Sequence, residues 1–112
     1  MSKPLELRVE QDQRAPRLVV AGELDLATAE ELEAGLKELE SGAPAVLVLD
    51  LRELEFMDST GLRTIVGADA RAREQGWRLT IVRGPDAVQR IFSVTKLDER
   101  LEIVDDPAAL GG

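Results

Sequence analysis

Residues 45–49, Ala45-Val46-Leu47-Val48-Leu49, form an unbroken apolar run with a segment of helical period on either side. A continuous run suits a strand covered on both faces, as in a parallel sheet. Upstream, Ala29, Leu32, Leu36 and Leu39 fall on one helical face, with Glu30, Glu33, Lys37 and Glu40 mostly off it. Downstream, Leu62, Ile65, Val66, Ala70 and Ala72 form a second stripe. Strands alternating with helices imply right-handed crossovers and a mostly parallel sheet with helices packed on it.

The remaining segments fit this frame. Leu5, Leu7 and Val9 alternate with Glu6, Arg8 and Glu10, the period of a half-buried strand. Residues 11–16 are polar and end in Pro16, a turn. Residues 17–22 then make a second strand, close enough for a hairpin. Thr28-Ala29-Glu30-Glu31 reads as a capping box, with Thr28 as N-cap and Glu31 reaching back. Residues 41–44 stop that first helix. Asp69 and Arg73 interrupt the second stripe at i, i+4 spacing and are expected to pair. Gln75-Gly76 closes the second helix, and residues 77–82 are the next strand, with Trp77 packed at its edge. Pro85 suits the first position of a third helix, whose stripe is Val88, Ile91 and Phe92. Residues 101–104 form a short last strand. The order is β-β-α-β-α-β-α-β: an α/β fold with a single mixed, mostly parallel sheet. The 112 residues make one domain, ordered over about 5–106, with 107–112 as a frayed tail.

Composition narrows the chemistry. The chain contains no Cys and no His, which excludes disulfides, thiolate metal sites, Cys or His catalysis and phosphohistidine. The absence of Cys fits a reducing, cytoplasmic setting. No apolar run approaches the ~20 residues of a membrane span, and the first six residues lack a signal-peptide core. The net charge of −8 argues against nucleic acid and anionic membranes as partners. Residues 1–56 carry 6 basic and 13 acidic side chains, residues 57–112 carry 8 and 9. A partner reading the first half is expected to offer basic residues; a solvated, solubilising face accounts for the same bias.

Two acidic residues lie where strands deliver the chain into helices, the usual place for ligands in α/β sheets. Asp25 follows the second strand, and Asp58 opens the second helix. In Asp58-Ser59-Thr60-Gly61, either Asp58 or Ser59 serves as N-cap. Capping needs only one such residue, and Gly61 costs roughly 1 kcal/mol in a first helical turn unless something must approach closely. A phosphoryl group on Ser59 would sit at the positive end of the helix dipole, among free N–H groups. On the residues alone, a bare helix start and an anion-carrying site both account for the segment.

Gly22-Glu23-Leu24-Asp25-Leu26-Ala27-Thr28, then Val46-Leu47-Val48-Leu49-Asp50-Leu51, then Phe56-Met57-Asp58-Ser59-Thr60-Gly61-Leu62, resemble the STAS domain. Within that family they are most similar to the anti-anti-sigma factors. The segment from Pro85 to Phe92, running into Lys96-Leu97-Asp98, resembles the family's last long helix. The resemblance implies a cytoplasmic anti-sigma factor antagonist without enzyme activity or cofactor. Its unphosphorylated form binds an anti-sigma factor that is a serine protein kinase, and so frees the sigma factor. The kinase modifies Ser59, and a metal-dependent serine phosphatase reverses this. The partner surface implied by the resemblance comprises Asp25, Asp58, Ser59, Thr60 and Gly61. Arg63 stands where many members have a small residue, and Lys96 where many have Gly.

Other readings are weaker. A nucleophilic Ser59 needs a base, and the three lysines at 3, 37 and 96 are not placed to supply one. A receiver-type aspartyl phosphate on Asp50 needs an acidic pair for Mg²⁺ after the first strand, and Asp12 stands alone there. Asp50 as a turn residue is simpler. A STAS subunit of another assembly, such as lipid transport or stress sensing, would use the fold without phosphorylation.

Overall fold

The computed structural model describes residues 4–11 and 15–106. The middle of the expected 11–16 turn, Asp12, and the expected frayed tail lie outside the described residues. The elements run β1 (Glu6–Gln11), β2 (Pro16–Leu24), α1 (Ala29–Glu40), β3 (Val46–Asp50), β4 (Leu54–Met57), α2 (Ser59–Gln75), β5 (Arg78–Val82), α3 (Asp86–Val94) and β6 (Ile103–Val104), with a 3-10 turn at Leu97–Glu99 before β6.

The sheet is mixed and mostly parallel, as the pattern requires. β1 pairs antiparallel with β2, from Glu6 opposite Ala21 to Gln11 opposite Pro16. From that hairpin the order continues β2-β3-β5-β6, all parallel, and β4 also pairs with β2. The strand β4 corrects the expected element order. The N-terminal half of β2 takes β3, and its C-terminal half takes β4, across a register shift at Gly22/Glu23. Between them the chain bends at Arg52, whose backbone N–H donates to Asp50 Oδ1 at 3.0 Å, a local turn. Asp50 is therefore the turn residue anticipated.

The apolar run is buried on both faces, but by different means. Leu47 and Leu49 join one core with Leu18, Val20, Leu24 and Ile81 of the sheet and the inner faces of all three helices. Val48 joins a smaller cluster on the other face with Ala15 and Val82, flanked by Val46 and Val104, and no helical residue belongs to it. Ion pairs accompany that second face. Arg52 reaches Asp50 Oδ2 at 2.6 Å, Arg17 pairs with Glu10, and Arg78 meets Glu102 at 2.7 Å. Burial pushes the Asp50 carboxyl up, but the hydrogen bonds and charge of Arg52, with the charge of Arg17, outweigh it and hold the carboxyl below its ordinary value.

Local expectations divide. Ala29, Leu32 and Leu36 are buried on α1. On α2 the buried positions are Gly61, Leu62, Ile65, Ala68 and Ala72, so Ala68 replaces Ala70, which is exposed. The spacing 61-65-68-72 is the true helical face, and a stripe drawn through Ala70 drifts off it. Asp69 and Arg73 do pair, at 2.8 Å. Pro85 is the N-cap of α3, so the helix begins at Asp86, one residue later than expected. Val9 shares the alternation of β1 yet stays 52% exposed, at the open edge of the sheet. Lys96 adopts φ +62°, a left-handed conformation. A side chain there costs roughly 1–2 kcal/mol relative to glycine.

Candidate functional site

Two parallel neighbours build the site. In the β2–β4 register Leu24 stands opposite Met57, so the next residues, Asp25 and Asp58, leave the sheet side by side. The junctions are then bonded directly. The Asp58 N–H donates to the Leu24 carbonyl at 3.1 Å, and the Leu26 N–H donates to Asp58 Oδ2 at 3.2 Å. Asp58 Oδ1 accepts from the Thr60 and Gly61 amides at 2.9 and 3.0 Å. One carboxylate thus caps α2 with one oxygen and holds the β2–α1 loop with the other.

Gly61 is explained by the same closure. A Cβ there would lie 2.5 Å from Leu24 Cγ and 3.1 Å from the Leu24 carbonyl oxygen. The first turn of α2 rests on the end of β2, and only glycine permits it. The expectation that Gly61 allows a close backbone approach is met.

Asp25 is organised as a turn. Its Oδ1 accepts from the Ala27 and Thr28 amides at 3.0 and 3.2 Å. Its carbonyl accepts from Thr28 and Ala29. The Thr28 hydroxyl accepts from the Asp25 amide at 2.9 Å and faces the Glu23 carbonyl at the same distance. The expected capping box does not form: Thr28 makes no side-chain cap bond to α1. Its hydroxyl is spent tying the loop, because Asp25 already supplies the local acceptor.

The structure therefore brings Asp25, Asp58, Ser59, Thr60 and Gly61 to one end of the sheet. Asp25, Asp58 and Thr60 are half-buried, Gly61 is buried and Ser59 is exposed. The Ser59 hydroxyl has no hydrogen-bond partner among the described residues. One expectation is corrected here. The amides of Thr60 and Gly61 are not free for an anion on Ser59, because Asp58 occupies them. Among the described residues no group of three or more acidic side chains could hold a metal ion.

The family model described as "Mlab, STAS domain" matches residues 7–105. The chain belongs to the STAS family. Among its STAS relatives, the anti-sigma-B factor antagonist of Listeria monocytogenes is 34% identical over 95 residues, 85% of this chain and 83% of that protein. The anti-sigma-B factor antagonist of Staphylococcus aureus is 31% identical over 84 residues, 75% and 78% of the two chains. The crystal structure of an anti-sigma factor antagonist from Mycobacterium paratuberculosis superposes with a TM-score of 0.83 at 26% identity, covering 97% of this chain and 94% of the other. These relatives are regulatory antagonists, not enzymes. No helix among the described residues is long and apolar enough to cross a membrane.

Within the STAS site the sequence pointed to the acidic residues and missed an apolar one. Leu26 is 76% exposed beside Asp58, which holds its amide. Its signal was present: an apolar residue between strand and helix, outside both periods. Arg63 is exposed on α2 without an ion-pair or hydrogen-bond partner among the described residues.

Proposed function

We propose that the chain is an anti-sigma factor antagonist whose docking surface is the paired β2–α1 and β4–α2 junctions. In this reading the unphosphorylated protein, in the cytoplasm, binds an anti-sigma factor with serine kinase activity and releases the sigma factor. Phosphorylation of Ser59 ends that binding, and a serine phosphatase restores it. The observation that carries the reading is the exposed, unbonded Ser59 hydroxyl standing directly after the shared carboxylate of Asp58.

The physical consequence of modification follows from charge. A phosphate adds about −1.5 to −2 charges at pH 7. It arrives beside Asp25 and Asp58, on a chain already at −8. A partner that docks through basic residues meets the unmodified surface favourably. Against a kinase's nucleotide-binding end, the added dianion repels. Leu26 supplies an exposed apolar contact on that surface.

Affinity capture from the source cells, with the tagged chain as bait, tests the reading. An ATP-binding anti-sigma kinase should be retained by the parent and by Ser59→Ala, and poorly by Ser59→Asp. Recovery of a transport or stress-sensing assembly instead, indifferent to Ser59→Asp, would favour a STAS subunit without a phosphorylation switch.

A further inference from the structure

A phosphate on Ser59 needs donors, and at the helix start only the Ser59 amide is without an acceptor among the described residues. Asp58 Oδ1 already accepts from the Thr60 and Gly61 amides. The carboxylates of Asp58 and Asp25 lie at the same pair of junctions and repel a second anion. One amide does not balance a dianion beside two carboxylates, so a cationic side chain is the remaining source of compensation.

Arg63 is four residues after Ser59 on the same helix. Positions i and i+4 are neighbours on one helical face, and an acidic group on the N-terminal side of a basic one is the favourable order. Both Ser59 and Arg63 are exposed, so the pair can form without moving the core. Arg63 has no side-chain ion-pair or hydrogen-bond partner among the described residues, a state it shares with Arg83, Arg90 and Arg100, but of these it alone lies on α2 one turn from Ser59. A guanidinium offers a planar fork of donors that matches phosphate oxygens.

We propose that Arg63 is an intramolecular clamp for a phosphomonoester on Ser59. The inference rests on Ser59 being the phosphoacceptor. In the unmodified protein Arg63 stands beside the docking surface with no partner among the described residues. In the modified protein it is folded back onto the phosphate. Modification then reorders one side chain as well as adding a negative group, and the change is confined to one helical face.

The experiment uses the full chain with phosphoserine installed at position 59 during synthesis, so no cognate kinase is required. Phosphorus NMR follows the second ionisation of the phosphate in the parent, Arg63→Ala and Arg63→Lys. The repulsion from Asp58 and Asp25 is common to all three. The parent midpoint should lie roughly 0.15–0.4 unit below that of Arg63→Ala, a difference that shrinks in high salt. Arg63→Lys, a point charge without the fork, should retain part of the shift. Superimposable titrations of the parent and Arg63→Ala would overturn the clamp. Its failure is separate from failure of the switch: a host kinase that leaves Ser59 unmodified refutes the switch and leaves this titration untouched.

Discussion

The entries to α1 and α2 start from the same parts and use them differently. Each leaves a parallel strand through an aspartate, each has a hydroxyl residue nearby, and each precedes a helix. At α2 the aspartate is the cap itself, and its second oxygen crosses to the other junction. At α1 the aspartate makes a turn before the helix, and Thr28 ties that turn to β2. The Asp25 side chain thus bonds only within its own loop, whereas the Asp58 side chain holds both junctions. A sequence motif of capping type identifies a place where backbone amides need acceptors; which acceptor takes them depends on what tertiary neighbours supply.

This contrast can be broken by substitution. The largest effect belongs to Gly61→Ala. The added Cβ meets Leu24 at 2.5 Å, so unfolding in urea should show a loss of roughly 2 kcal/mol despite the better helix propensity. Asp58→Ala should come next, at about 1–2 kcal/mol, because it removes a cap and the link to Leu26 together. Asp58→Asn keeps the capping oxygen but turns an amide toward the Leu26 N–H, so amide exchange should speed at Leu26 more than at Thr60.

Asp25→Ala should cost about 1 kcal/mol by thermal unfolding, since two amides lose their acceptor while the helix start persists. A loss equal to that of Asp58→Ala would mean the junctions are equivalent after all. Gly35→Ala lies within α1 and should stabilise by roughly 0.5 kcal/mol. There the new Cβ meets the tip of Leu7 at 3.1 Å, on the edge strand, and Leu18 in ordinary contact at 3.7 Å. The smallest effect is Glu31→Ala, within about 0.5 kcal/mol, because no capping box exists to lose.

The legible parts of the fold are those where one periodicity dominates. The run at 46–49 announced β3, and the spacing of Leu32 and Leu36 announced α1. Strand β4 was hidden because Leu54-Glu55-Phe56-Met57 is four residues long and buried only at its ends. It neither alternates nor runs apolar, and its pairing depends on the bulge in β2. Ala70 was misplaced because alanine carries too little signal to fix the phase of a stripe. At the site, Asp58, Ser59 and Gly61 were legible from chemistry that a plain helix start does not need. The Asp58–Leu26 bond was not, since it joins residues 32 apart through a register that only the folded sheet defines.

The central claim is that the group presented by the Asp58 junction is a phosphoacceptor. Incubation of the chain with the ATP-dependent serine kinase captured from its source cells, followed by phosphopeptide mapping, tests it most directly. One phosphate, on Ser59 alone, is the predicted result. Ser59 is exposed and unbonded, whereas Thr60 is half-buried with a stiffer side chain. A phosphate on Thr60, or none on either residue, would contradict the account.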